Sequence, residues 1–304
     1  IVRYVYSYDG DGNVRSEQVE PLTSPYQPNT VNMTFDRRNR LETFNGVATT
    51  LDREGKLLNG PLNGGFVDFS YDGRNNLTQA GNVQYRYDLE DHLRGITVDG
   101  QETEFIVNPN PMVSQIIQRT TPQGAVTRYI WGIGLLYEET QFGQIRVYHY
   151  DARGNTVAMS DDTGNVVATI EYSPFGERIR SLGIVDTPFT LSGLFGVVTD
   201  DQGLSWMRYR WYNPQIRRFV TEDAHFGNIL NPESLNRYAY AGNNPISSVD
   251  PEGEAPWVLI GAAVGATVSL AVEFTTDLID DGQIDNGVGD YVAAALGGAV
   301  SGAI

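Results

Sequence analysis

The residue types in this chain that can do chemistry are aspartate, tyrosine, arginine and three histidines, and their spacing decides which chemistry is open to them. Aspartate follows an aromatic or apolar residue at Tyr8-Asp9, Phe35-Asp36, Leu51-Asp52, Tyr71-Asp72, Tyr87-Asp88 and Tyr150-Asp151. A metal or acid–base site needs its carboxylates close together. Aspartates spread one per repeat do not converge, so they are expected in turns. His92, His149 and His225 lie far apart, with neither HxH nor HExxH spacing. They predict structural or exposed imidazoles, not a zinc site or a Ser-His-Asp triad. The absence of cysteine excludes disulfides, a thiolate zinc site and a cysteine nucleophile. Neither a P-loop nor a GxGxxG after a strand is present, so no nucleotide, cofactor or metal is expected. Arg217 and Arg218 have two readings, as orienters of a carboxylate in bidentate fashion or as members of structural ion pairs.

The elements that must position these residues are short. Tyr-, Val- and Thr-containing runs alternate with Asp, Asn and Gly, and the first five of these repeat-unit aspartates are spaced by 16 residues (Asp36 to Asp52) to 27 (Asp9 to Asp36). That pattern predicts a meander of hairpins. In each unit the aromatic ends a strand, the aspartate bonds backbone amides further on, and Gly or Asn takes the positive-φ place in the turn. A unit repeated in this way buries its apolar face only against its neighbours, so a solenoid, spiral or barrel of hairpins follows. The 304 residues carry 38 acidic and 21 basic side chains, a formal charge of -17, with Lys56 the single lysine. No basic face for nucleic acid is visible, and this charge opposes an anionic membrane surface. With no initiating methionine, and with alternating Val2, Tyr4, Tyr6 and Tyr8 at its start, the chain reads as a piece of something longer.

The Tyr-Asp units, of the form YDxxGN, are followed by an ordered set of further motifs. These are Tyr129-Ile130-Trp131, then Tyr148-His149-Tyr150-Asp151-Ala152-Arg153-Gly154-Asn155, then Tyr172-Ser173-Pro174-Phe175-Gly176-Glu177. Next come Arg208-Tyr209-Arg210-Trp211-Tyr212-Asn213-Pro214, Arg218-Phe219-Val220-Thr221-Glu222-Asp223, Leu235-Asn236-Arg237-Tyr238-Ala239-Tyr240 and Val249-Asp250-Pro251-Glu252-Gly253. This series resembles the YD repeats and terminal core of Rhs proteins, the C components of Tc toxin complexes and the YD shells of teneurins. The resemblance implies a mainly β fold: a spiralling antiparallel β-hairpin shell over residues 1–205 and a core plug over 206–253. In bacterial members the shell encloses a variable C-terminal effector, with an immunity protein as a further partner. It also implies a secreted or cell-surface location. A second reading stays open, an extracellular YD-repeat adhesin that binds glycans or proteins.

The same resemblance singles out Asp223 and Asp250, 27 residues apart, as a pair that in relatives is proposed to release the C-terminal segment after the DPxG motif. Two close carboxylates share a proton, one acting as base toward water and the other as acid. Arg218 is the candidate orienter, and Pro251, Gly253 and Glu254 mark the cleavage region. The chain departs from the family in two places: Ala224 follows Asp223 where proline is usual, and Glu254 stands where leucine is usual. The competing reading is that both aspartates cap turns. Apart from this one self-cleavage, no enzymatic activity is expected.

Residues 254–304 are a different material. Ala255 to Val272 carries no charge, Glu273 to Asp290 is acidic, and Tyr291 to Ile304 is again small and apolar. Gly261 and Gly265, like Gly298 and Gly302, are four apart, which predicts a short Ala/Gly-rich α-helical hairpin. Three readings stand: a membrane-contacting hairpin through residues 256–304, a helical linker packed in the shell, and a buried hairpin of a further domain. The run Asp281-Gly282-Gln283-Ile284-Asp285 lacks the EF-hand order, so a solvated turn is expected there in place of a calcium loop.

Overall fold

The computed structural model describes residues 2–21, 30–109, 114–227, 232–254 and 257–258. Strands follow one another as antiparallel neighbours in strict chain order. A five-stranded sheet runs from Val2–Tyr8 to Val47–Ala48, and a fourteen-stranded sheet from Thr50–Leu51 to Arg178–Gly183. A four-stranded sheet follows, made of Val198–Thr199, Ser205–Met207, Arg210–Asn213 and Arg218–Phe219. The expected helical hairpin lies outside the described residues, apart from Glu254 and Trp257–Val258, which pairs antiparallel with Ser248–Val249.

Each Tyr-Asp unit builds the same device. The strand register shifts at the residue pair that ends in the aromatic or apolar position: Ser7/Tyr8, Thr34/Phe35, Thr50/Leu51, Ser70/Tyr71, Arg86/Tyr87 and His149/Tyr150. A bulge bends its strand and adds twist, and here it recurs where each of these strands meets its turn. The aspartate then closes the turn. Its Oδ1 accepts the amides two and four residues on, at 2.8–3.0 Å, at Asp9, Asp36, Asp52, Asp72, Asp88 and Asp151. The residue three beyond each aspartate has positive φ: Gly12, Asn39, Gly55, Asn75, Asp91 and Gly154. Gly, Asn and Asp tolerate that conformation best.

The tyrosines hold consecutive hairpins together. The hydroxyls of Tyr71, Tyr87, Tyr150 and Tyr172 donate to the carbonyls of Leu57, Leu77, Leu135 and Thr156 at 2.7–3.0 Å, each the first residue of an earlier strand. Burial raises the pKa of all four, so they stay neutral donors.

One face of the meander is buried by the segment that follows it. Met33, Leu77, Leu93, Leu135 and Met159 from the strands share a core with Phe189, Val198, Leu204, Trp206 and Trp211. A second cluster joins Met207, Tyr212, Phe219 and Tyr240 inside that segment. Its polar groups reach turn after turn: Asn243 donates to the Gly12 carbonyl, Tyr238 to that of Gly55, Asn213 to that of Pro61 and Tyr212 to that of Phe175. Trp211 Nε1 donates to the Tyr87 hydroxyl at 2.8 Å, so one phenol links a hairpin to the core segment.

Candidate functional site

Strands Ser205–Met207 and Arg210–Asn213 form a hairpin whose two-residue turn places Arg208 at positive φ. Arg210 therefore opens its strand beside the loop holding Asp223 and the turn holding Asp250. Its guanidinium lies on the Phe219 ring, 3.8 Å from the centroid. The Arg210 Nη2 is 2.8 Å from Asp223 Oδ2 and 3.7 Å from Asp250 Oδ2. The Nη1 donates to the Arg237 carbonyl at 2.8 Å, and Nε donates to the Gly253 carbonyl. One guanidinium thus collects both aspartates and two peptide oxygens.

Asp250 is 1 % exposed, and its Oδ1 accepts the amides of Gly253 (2.8 Å) and Glu254 (3.2 Å). Burial pushes its pKa up to about 6; Arg210 and the two amides pull the other way, and Asp223 adds to the rise. Burial also lowers the pKa of Arg210, against the pull of its carboxylate neighbours. Asp223 Oδ1 accepts the His225 amide at 2.8 Å, and its carbonyl accepts Arg237 Nε at 2.8 Å. Arg237 in turn pairs with Glu222 at 2.5 Å. Gly253 has φ +76, and a Cβ there would stand 2.7 Å from the Met207 carbonyl, so this backbone is pressed onto the hairpin. The Pro251 carbonyl accepts Arg208 Nη1 at 3.2 Å.

The arrangement unites Asp223, Asp250, Pro251, Gly253 and Glu254, all five singled out from the sequence. It does not include Arg218. That guanidinium reaches the Asn39 carbonyl and Asn13 Oδ1, both at 2.5 Å, between the rings of Phe35 and Tyr238. Arg217 pairs with Glu17 at 2.6 Å. The arginine at the carboxylates is Arg210, whose place depends on the non-local approach of two loops to one hairpin. Its only signal in the sequence is membership of the Arg208–Pro214 run. Chemically the site holds a carboxyl that is part-protonated near neutral pH beside the Glu254 nitrogen, a second carboxylate, and a guanidinium on the adjoining carbonyl.

The Tyr-Asp residues do not join it. Tyr8, Asp9, Tyr71, Asp72, Tyr87, Asp88, Tyr150 and Asp151 sit at successive hairpin ends. His92 lies against its turn partner Asp88, Nδ1 to Oδ2 at 3.3 Å, His149 meets Ser160 at 2.8 Å, and His225 is exposed. Among the described residues no three His, Asp or Glu side chains are grouped to hold a metal ion, and no helix is long and apolar enough to cross a membrane.

Comparison with known proteins agrees with this architecture. The family model of the teneurin YD-shell matches residues 2–246. The tRNA nuclease WapA of Bacillus subtilis (strain 168) is 28% identical over 288 residues, covering 86% of this chain and 11% of that protein. Human teneurin-1 is 24% identical over 280 residues, covering 82% of this chain and 10% of its own length. The crystal structure of TcdB2-TccC3-TEV superposes with a TM-score of 0.63 at 20% identity, over 83% of this chain and 13% of that one. The chain spans about a tenth of the length of these curated relatives. With bulged hairpins in chain order, the family match over 2–246 and the shared fold, this chain belongs to the YD-shell family of Rhs-type repeat proteins.

Proposed function

We propose that this chain is the closing part of an Rhs-type shell that stores a C-terminal effector carried by a longer protein. In this reading residues 1–205 are the last shell turns, 206–253 the plug, and 254–304 the start of the segment leading to the effector. The observation that carries it is the core segment's set of donors into hairpin turns from Gly12 to Phe175, a closure that fixes the end of an array. An immunity protein for the effector and a secreted or cell-surface site of action belong to the same reading. The experiment is protease challenge of the full-length protein. Protection of the segment beyond Glu254 until the shell is denatured is the expected result; immediate digestion with the shell intact favours a surface-displayed, adhesin-like array that binds glycans or proteins.

A second reading, one self-cleavage between Gly253 and Glu254, is favoured by the convergence of Asp223, Asp250 and Arg210 on that peptide. Asp223 takes a proton from water, the hydroxide adds to the Gly253 carbonyl carbon, and Arg210 holds the oxyanion. Asp250, whose Oδ1 accepts the Glu254 N–H at 3.2 Å before reaction, turns its protonated oxygen to that nitrogen once the nitrogen has become tetrahedral and delivers its proton as the C–N bond breaks. The products are a Gly253 carboxylate and a Glu254 amine. Intact mass of the full-length protein decides: two fragments in the wild type and one chain in Asp223→Asn and Asp250→Asn are expected. One chain in all three removes the reaction and leaves both aspartates as turn caps.

A further inference from the structure

After Arg178–Gly183 a strap, residues 184–190, carries the chain from the fourteen-stranded sheet to the core segment. Two cavities of about 420 and 240 Å³ flank it and share Val185, Thr187, Thr199, Asp200 and Asp201 in their walls. Between these spaces the middle of the strap is held by polar contacts. Arg119 Nη1 donates to Asp186 Oδ1 at 2.9 Å, and Nη2 to the Asp186 carbonyl at 3.2 Å. Thr187 Oγ1 meets the Tyr148 hydroxyl at 2.5 Å, and that hydroxyl donates to Glu138 Oε2 at 2.5 Å. Glu138 is 1 % exposed, and the buried Nε of Arg119 has no hydrogen-bond partner.

We propose that Glu138 and Arg119 form a pH-operated latch on this strap: with Glu138 neutral, Arg119 holds Asp186 and the strap is down; with Glu138 ionised, Arg119 turns to it and the strap is released. A buried carboxylate left without a partner is costly, so its ionisation recruits the cation at hand. The free Nε gives Arg119 a donor to offer. The groups acting on Glu138 are Tyr148, Arg119, Arg146 and Asp186, with Tyr129 and Tyr150 beside them. The three phenols stay neutral because burial raises their pKa. Burial lifts Glu138 to about 7, the Tyr148 hydroxyl and the two arginines lower it, and Asp186 adds to the rise. The flanking cavities give a departing Asp186 room and water.

Hydrogen exchange of the full chain at pH 6 and pH 8.5, corrected for intrinsic rates, tests the latch. In the wild type the amides of Phe189 and Thr190, which donate to Thr187 Oγ1 and the Pro188 carbonyl, are expected to lose about tenfold in protection at the higher pH, while the Asp72–Asn76 turn does not change. Glu138→Gln, which keeps the acceptor for Tyr148, is expected to hold protection at both values. Asp186→Asn is expected to show low protection at both. A flat wild-type response, or a step that persists in Glu138→Gln or in Asp186→Asn, overturns the proposal; the Asp186 variant decides if the Glu138 variant does not fold.

Discussion

A single aspartate type plays two opposite roles here, set by what surrounds it. At Asp36, Asp72 and Asp88 hydrogen bonds from the turn amides and neighbouring side chains lower the pKa against burial. Their stabilisation is present above about pH 4 and is lost as pH falls through the lowered values. At Asp200 and Asp250 burial wins and lifts the pKa to about 6. That contribution is complete below about pH 4 and is lost as pH rises through about 6. The urea midpoint is therefore expected to fall between pH 5 and pH 8, and to fall less in Asp200→Asn, whose amide oxygen still accepts from the turn amides while its amide nitrogen donates to the Tyr85 hydroxyl. An equal fall in both proteins rejects the assignment. Tyr87 offers a second residue-scale test. Its hydroxyl donates to Leu77 and accepts from Trp211, so Tyr87→Phe strands two buried partners and is expected to cost about 1–3 kcal/mol in denaturant unfolding. A loss within error of zero would mean that water replaces the phenol.

The element that matters is the bulged hairpin with its five-residue turn. Its chemistry was legible in the sequence because aspartate, then Gly or Asn three residues on, is a local code. The bulge was not legible, since the register shift shows only when two strands are laid side by side. Gly143 and Gly55 separate turn conformation from packing. Both have positive φ, but a Cβ at Gly143 meets nothing within 4 Å, whereas at Gly55 it collides with the Tyr238 hydroxyl and Glu222. Gly143→Ala is expected to cost about 1–2 kcal/mol from backbone conformation alone. Gly55→Ala should cost clearly more, because it also pushes the core segment off its turn. Equal melting-point losses for the two variants would show that Tyr238 yields without cost.

Across the whole molecule, stability rests on the core segment gripping distant repeats. The pair Glu17–Arg217, 4 % and 2 % exposed, joins the first hairpin to a residue 200 positions later. Removing one partner leaves a buried charge, so Arg217→Met or Glu17→Gln alone is expected to cost about 3–5 kcal/mol. The double variant should recover part of that loss. Additive losses in urea unfolding would mean that the two residues are not coupled. The same long reach explains why Arg210, and not the expected Arg218, serves the two aspartates. Chain proximity puts Arg218 near Asp223, but strand pairing turns it toward Asn13 and Asn39 and brings Arg210 to the carboxylates.

The amino-acid sequence by itself determined the repeat, its turn chemistry, the mainly β class and the two aspartates of the candidate site, because all of these follow from short-range patterns or ordered motifs. Tertiary structure alone decided which arginine serves those aspartates, which carboxyls are buried far enough to titrate near neutral pH, and where the chain crosses from sheet to core. These depend on contacts between residues tens to hundreds of positions apart. Burial and electrostatic proximity belong to the packed molecule and are not encoded in any local run of residues.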